Sequence, residues 1–548
     1  MIGRPDLWWR AGLVLALLVG GCGPEAEPRL AESDPSAAAP RATRGYILIS
    51  IDTLRADHLG LYGYTRPTSP FLDSLAKRAT VFDEAYAQFP STLVSHMSMF
   101  TGLYPREHGV FPPNAVLSPE VETLPEVFHR NGFRTAGFTE GGYVSGRYGF
   151  RRGFDEFISR DRDHSRQVEG TFRRGARFLE SVRPDDRFFL FLHTYAVHAP
   201  YDAPEEFRKP FWPGEPPAGA IQGTGPALHR QDMTGDPVPA PAIDYLRAQY
   251  DAGIRQTDDV IRRFFGELAR LGLDDEVTVV ITADHGEEFR DHGLFNHTQL
   301  YRETLRVPML VLHPDQRTAV RHGGIVQLID VAPTFYELAR LQPGRRPTGV
   351  SLAGRLGRAA EPKTGTAWAE TQGGIRAVYR GEQRNLESLL LFDPPAEEWL
   401  ARRVVFDAHG GPLAFEARAP EPRRLALRRG DETLAEVPLT AEWTPVRLAD
   451  VPPGRLRLEA DGCTEAGDRR EVQCQSFQVR GIRLTRIELY DVAKDPAQLR
   501  DLSHERSRSM RALLRDLVAF NPAPVATASA PPLDPELEKS LRALGYLR

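Results

Sequence analysis

Tyr46-Ile47-Leu48-Ile49-Ser50-Ile51-Asp52 is an apolar run, interrupted only by one serine, that ends on a carboxylate. A continuous run of this kind reads as a strand buried on both faces, as in a parallel sheet covered by helices. A carboxylate at its C-terminal end stands where open α/β sheets place their ligands. The same grammar returns twice downstream. Val168, Phe172, Ala176, Leu179 and Val182 recur at helical spacing before Pro184, and Phe188-Phe189-Leu190-Phe191-Leu192 then reads as a buried strand ending at His193. Leu246, Tyr250, Ile254, Ile261, Phe264, Leu268 and Leu271 line one face of a long helix closed by Gly272, a scaffold element. Val277-Thr278-Val279-Val280-Ile281 follows as the next strand and leads to Asp284. Alternating helices and strands predict an α/β fold, a doubly wound, mainly parallel sheet flanked by helices.

Between the first two strands lies Thr92-Leu93-Val94-Ser95-His96-Met97-Ser98-Met99-Phe100-Thr101-Gly102. Residues 94–100 are expected to begin a helix, which puts Thr92 at its N-terminus, where unpaired backbone N–H groups favour an anionic phosphate or sulfate. With Asp52 and with Thr282-Ala283-Asp284-His285-Gly286-Glu287, three distant segments are expected to converge on one metal-activated nucleophile site.

The 548 residues suffice for one large α/β domain plus a smaller one, since single cores seldom exceed roughly 250 to 300 residues. Hydrophobic content of 41% and charged content of 26% place the chain among ordinary globular proteins. A net charge of −5, with Lys and Arg dispersed, excludes nucleic acid as a structural partner. Arg4 and Arg10 precede an apolar run from Ala11 to Gly21 that is too short to span a bilayer and reads as a signal peptide over 1–22. Residues 23–44, rich in Pro, Ala, Ser and Glu without apolar period, are expected to form a disordered tether. A catalytic domain is expected over 45–395, with residues 202–242 a Pro- and Gly-rich loop forming a flap beside the site. Short alternating segments predict a small all-β insertion over 396–484, followed by a return to the main subdomain over 485–520 and a linker with a short terminal segment over 521–548.

These motifs resemble the sulfatase family of the alkaline phosphatase superfamily, whose signature sets a Cys or Ser nucleophile in C/S-x-P-S-R-x-x-x-L-T-G before a Tyr-Pro pair. Ser95, Thr101, Gly102, Tyr104 and Pro105 keep that frame. The resemblance continues through Asp52-Thr53-Leu54-Arg55-Ala56-Asp57-His58-Leu59-Gly60, His198-Ala199-Pro200-Tyr201 and His292-Gly293-Leu294-Phe295-Asn296-His297, and resumes at Glu488-Leu489-Tyr490-Asp491. It implies an alkaline phosphatase-like fold with a smaller β-rich C-terminal subdomain. Val19-Gly20-Gly21-Cys22 is similar to the bacterial lipobox, which implies export and lipid anchoring through Cys22 at the cell envelope, with an ordinary cleaved signal as the alternative. In such a compartment Cys463 and Cys474 are candidates for a disulfide.

Three departures bear on chemistry. Thr92 stands where formylglycine is made from Cys or Ser, His96 replaces the signature Arg, and Thr53 replaces a second metal-binding Asp. A Thr nucleophile with a His after the second metal-binding Asp is similar to nucleotide pyrophosphatase/phosphodiesterases, lipoteichoic acid synthase and lipid A phosphoethanolamine transferases, which act on phosphorus.

A divalent cation held by Asp52, Asp284 and His285 would leave a position for Thr92 and lower the pKa of its hydroxyl. One imidazole and two carboxylates favour zinc or manganese, with calcium or magnesium as the alternatives. His198 and His297 are candidate catalytic groups, one of them protonating the leaving oxygen, and Arg55 and Ser95 are candidate substrate contacts. Asp57 is expected to cap the adjoining turn, with a contribution to a second metal site as the alternative, and His58, His108 and His292 to be structural. The reading is a metal-dependent hydrolase or transferase of phosphate or sulfate esters working through a covalent Thr92 intermediate, on a small-molecule, glycan or lipid-linked ester. Phosphorus is favoured because water can resolve phosphothreonine in line. A sulfatase without formylglycine and an inert envelope-binding lipoprotein are the competing readings.

Overall fold

The computed structural model describes residues 40–112, 115–159, 167–234, 236–359, 365–371, 375–381, 385–392, 399–401, 403–408, 411–419, 422–429, 432–451, 454–460, 464–466, 471–473, 477–480, 486–503, 505–523, 528–529 and 541. Cys22, Cys463 and Cys474, the signal segment and most of the tether lie outside them. The tether was expected to reach Arg44, but residues 40–44 are part of the domain. Arg41 donates to Asp315 at 2.6 Å, Thr43 to the Gly45 carbonyl, and Arg44 pairs with Glu276.

Every residue of β1 (Gly45–Ile51) is buried, as its unbroken apolar run demands. Parallel partners flank it, β5 (Phe188–Thr194) on one side and β6 (Val277–Thr282) on the other. With β2 (Thr80–Tyr86), β3 (Arg134–Phe138), β4 (Glu156–Ile158), β7 (Arg306–Leu312) and β8 (Val320–Gln327) they form one sheet in the order β8-β2-β7-β6-β1-β5-β3-β4. Only β7 runs antiparallel to its neighbours. The sheet is therefore mainly parallel and wound in both directions from β1.

Register decides what meets at the sheet's C-terminal edge. Ser50 pairs with His193 on one side and Thr282 on the other. Side chains at one level of a parallel sheet share a face, and the next residue on that face lies two positions on. Asp52 and Asp284 consequently stand side by side.

Helix α1 (Thr92–Thr101) is buried along its whole length, so its polar side chains all need partners. His108 supplies one of them. Its Nδ1 accepts from the Val110 N–H at 3.1 Å, and its other nitrogen lies 3.1 Å from Ser98 Oγ. Burial pushes the His108 imidazole from 6.5 down to about 3. The unfolded chain therefore takes up a proton that the fold refuses, so this group's contribution is intact above pH 6.5 and is lost as pH falls toward 3. His108→Gln is expected to recover part of that acid loss, on the order of a few kcal/mol, which thermal melts of both proteins between pH 7 and pH 4 would measure.

The long helix α3 (Ala240–Arg270) carries the expected apolar stripe, but two carboxylates are set into its buried face. Asp251 holds His58 and Arg66, and Asp258 accepts the backbone N–H groups of Phe71 and Leu72. Residues 202–242 depart from a plain loop by containing a single helical turn, Glu205–Arg208, and helix α2 (Gly225–Thr234). Phe211 packs with Ala248 and Ala252 of α3, a tertiary anchor that local periodicity does not report.

Beyond the sheet, strands Gly365–Glu370, Ile375–Gly381, Glu387–Phe392 and Arg486–Asp491 form a small antiparallel sheet covered by helix Ser507–Ala519. Phe392 pairs with Arg486, so the chain leaves and re-enters this sheet at one point. The described residues between them form two four-stranded sheets and a two-stranded one (Thr464–Ala466 with Glu471–Gln473), with a core of their own that includes Phe415, Leu425, Leu427, Val446 and Leu456. Replacing residues 393–485 by a short turn is expected to leave the main body folded, with a melting temperature within a few degrees of the parent. After Phe520, which stacks on Trp368, residues Ala528–Ser529 pair with Ala115–Val116, and most of the expected terminal linker lies outside the described residues. Among the described residues no helix is long and apolar enough to cross a membrane.

Candidate active site

Asp52, Asp284 and His285 offer ligand atoms that all lie within 4.8 Å of one another, and all three residues are buried. Each donor atom is aimed by a second contact. Asp284 Oδ1 accepts the backbone N–H groups of Thr53 (3.2 Å) and His285 (2.9 Å), while Oδ2 has no hydrogen-bond partner among the described residues. Asp52 Oδ2 lies 3.2 Å from His193 Nε2, and its Oδ1 is similarly unpartnered. His285 Nδ1 lies 2.9 Å from the Gly286 carbonyl, which makes Nδ1 the donor and turns the Nε2 lone pair toward Asp284 Oδ2 (3.3 Å) and Thr92 Oγ (3.4 Å). Gly286 is required here, because a Cβ on it would sit 1.9 Å from the Glu303 carbonyl oxygen.

Two buried carboxylates side by side repel. Burial and the neighbouring charge of Asp284 raise the Asp52 carboxyl well above its usual range. Burial works the same way on Asp284, but the imidazoles of His285, His96 and His193 outweigh it and hold that carboxyl low. Two unpartnered carboxylate oxygens, one imidazole lone pair and one hydroxyl facing each other are a donor set that fits a divalent cation.

Thr92 begins α1 after Ser91, so its hydroxyl stands at the positive end of the helix. His96, one turn on, bonds the Thr92 carbonyl through Nδ1 (2.8 Å) and Ser50 Oγ through Nε2 (2.9 Å), fixing the helix start against β1. Thr53 has φ +55°, a costly conformation for a β-branched residue. Tyr250 of α3 sustains it by donating to the Thr53 carbonyl and accepting the Arg55 N–H, both at 2.8 Å.

His198 and His297 come to the same place. Their ring centroids are 5.4 Å apart, and that of His297 is 4.4 Å from His285. Burial lowers both to about 4, so both are neutral at pH 7. Glu287 lies 3.1 Å from His297 Nδ1 and accepts the Tyr201 hydroxyl at 3.0 Å.

Other expected contacts are differently employed. Ser95 Oγ donates to the Asp284 carbonyl at 2.6 Å and so braces the ligand loop rather than a substrate. Arg55 is buried and engaged by Asp57, Asp291 and the Glu287 carbonyl. Asp57 makes no cap but forms the other half of that ion pair. His193, Glu287 and Tyr250 carry site geometry that sequence reasoning left unassigned. For His193 the signal was available, since it ends a buried strand just as Asp52 and Asp284 follow theirs.

Residues 44–341 match the Sulfatase family model, which takes in more than half of the chain. This chain belongs to the sulfatase family. Chicken arylsulfatase K is 24% identical over 59% of this chain and 69% of its own length. Curated sulfatase relatives are matched over 57% to 77% of their lengths. A structure solved with its substrate D-glucosamine-2-N,6-O-disulfate superposes with a TM-score of 0.58 at 16% identity, covering 88% of this chain and 97% of that one. The phosphonate monoester hydrolase of Agrobacterium radiobacter does so at 0.55 and 15%, covering 90% and 100%. Both likenesses are of fold, and the sulfatase family is one of ester hydrolases.

Proposed function

We propose that this sulfatase-family chain is a metal-dependent ester hydrolase whose nucleophile is the unmodified hydroxyl of Thr92, with phosphorus esters preferred. The observation that carries the reading is Thr92 Oγ at 3.4 Å from His285 Nε2, beside the unpartnered oxygens of Asp52 and Asp284. A divalent cation bound by Asp52, Asp284, His285 and Thr92 would supply the Lewis acidity that makes an ordinary alcohol nucleophilic near neutral pH.

The remaining steps belong to the chain's own residues. Neutral His297, backed by Glu287, takes the Thr92 proton as Oγ bonds to phosphorus, and the proton passes to the departing alcohol oxygen as the ester P–O bond breaks. The backbone N–H groups at the start of α1 stabilise the charge on the transferring group. Water then attacks phosphothreonine in line and Thr92 regains its proton. A sulfated threonine lacks the route by which formylglycine hydrate expels sulfate through its own C–O bond, which is why phosphorus is preferred. The shared fold of the phosphonate monoester hydrolase supports phosphorus chemistry on this scaffold. A sugar-borne ester remains within the substrate class, given the disulfated glucosamine held by another neighbour. Export with lipid anchoring at Cys22 is part of the proposal and rests on the N-terminal sequence.

Matched aryl phosphate, phosphodiester and sulfate esters assayed on the manganese- and zinc-reconstituted chain provide the test. Turnover of a phosphorus ester is expected. Turnover confined to the sulfate ester would establish a sulfatase working without formylglycine and defeat the phosphorus preference.

A further inference from the structure

We propose that His193 is a positioning residue that fixes Asp52 as a one-oxygen ligand and so tilts the site toward transition metals and away from calcium. The inference rests on the metal reading above and concerns a side chain outside the ligand set.

The two ligand carboxylates are restrained by different means. Asp284 has one oxygen tied to backbone by the N–H groups of Thr53 and His285. Among the described residues Asp52 has no such backbone hold, and its Oδ2 is met by His193 Nε2 at 3.2 Å. A carboxylate only accepts, so Nε2 carries the proton and the imidazole is in the Nε2–H form. That contact is the ring's sole hydrogen bond, since Nδ1 has no partner among the described residues.

The ring is not free to turn away. His193 is fully buried, edge-on to His96 (centroids 4.8 Å, 86°) and to Tyr195 (4.7 Å, 87°), and inclined only 27° to Phe191. Strand register places it opposite Ser50, one pleat below Asp52, so its donor points up at the carboxylate from the sheet itself.

With Oδ2 occupied, Asp52 presents Oδ1 alone. One-oxygen carboxylates match the compact N/O shells of zinc and manganese, whereas calcium takes six to eight oxygens and gains from carboxylates that swing to bidentate binding. Partners that orient ligands in this way are worth about 10- to 100-fold in metal affinity.

The test titrates Mn2+, Zn2+ and Ca2+ calorimetrically into the metal-stripped full chain, comparing wild type, His193→Phe and His193→Gln, with cooperative melting as the check on folding. His193→Phe is expected to weaken Mn2+ and Zn2+ binding by about 10- to 100-fold and to narrow their advantage over Ca2+. His193→Gln, whose amide N–H reaches the Nε2 position, is expected to restore most of the affinity. If the phenylalanine is not tolerated, His193→Asn, too short to reach Asp52, serves as the donor-deleted form. Unchanged Mn2+ affinity and unchanged ion ratios in the donor-deleted chain would overturn the inference, as would a glutamine variant as weak as the deletion. A wild-type chain that binds none of the three ions would instead overturn the metal reading on which the inference stands.

Discussion

Thr92→Ala is expected to lower kcat/KM on the best ester by at least about 10^4-fold, with KM little changed, because in the proposed reaction the lost group forms the covalent bond and contributes little to ground-state binding. The helix N-terminus, Asp52, Asp284, His285 and both catalytic imidazole candidates stay in place, so residual turnover measures what electrostatics contributes without a nucleophile. Thr92→Ser keeps the hydroxyl and gives up one buried methyl, a stability change of about 1 kcal/mol. It is expected to remain within roughly tenfold of wild type on the chemical step. Steady-state kinetics of the three proteins on one substrate separates the outcomes. Mass analysis of acid-quenched enzyme should find a phosphoryl adduct on the peptide that begins α1. Full activity in Thr92→Ala would remove Thr92 from the chemistry altogether.

Asp52→Asn should move stability and function in opposite directions. In the metal-free chain the Asp52 carboxyl is raised by burial and by the charge of Asp284. A carboxyl raised by folding favours the fold only where it is protonated, so its contribution turns unfavourable as pH rises past the unfolded value of about 3.9. At pH 7 the asparagine removes that cost, and the metal-free variant should melt several degrees above metal-free wild type. Adding manganese or zinc should reverse the order. Binding at roughly a thousandfold excess over Kd stabilises wild type by about 4 kcal/mol, while the variant responds weakly and turns over little substrate. Melting curves with and without metal read this crossing directly, and parallel metal responses in the two proteins would count against Asp52 as a ligand.

What the chain disclosed in advance followed a physical pattern. That Asp52, Asp284 and Thr92 come together was legible because each sits at the end of an element whose apolar period is local. What depends on register between distant strands was not. His193 faces Asp52 only because Ser50 happens to pair with it. Tyr250 looked like one more apolar position on a helical stripe, although its hydroxyl holds the strained Thr53 turn. Arg55 and Ser95 were assigned to substrate by their motif positions, yet ion-pair partners and a backbone carbonyl contributed by remote segments had already claimed them. Donors in a crowded site go to whichever acceptor arrives, and a linear pattern does not say which that is.

The pairing of Phe392 with Arg486 has a consequence for the order of folding. Closing so long a stretch as an unstructured loop would cost about 4 kcal/mol of chain entropy before the hairpin gained its first contact. If the β-sandwich forms while strand Arg486–Asp491 is still being synthesised, its two ends are already neighbours and the search is over. The module then acts as a clasp, and a mutation in its private core would slow completion of the hydrolase without altering any contact that the finished active site makes.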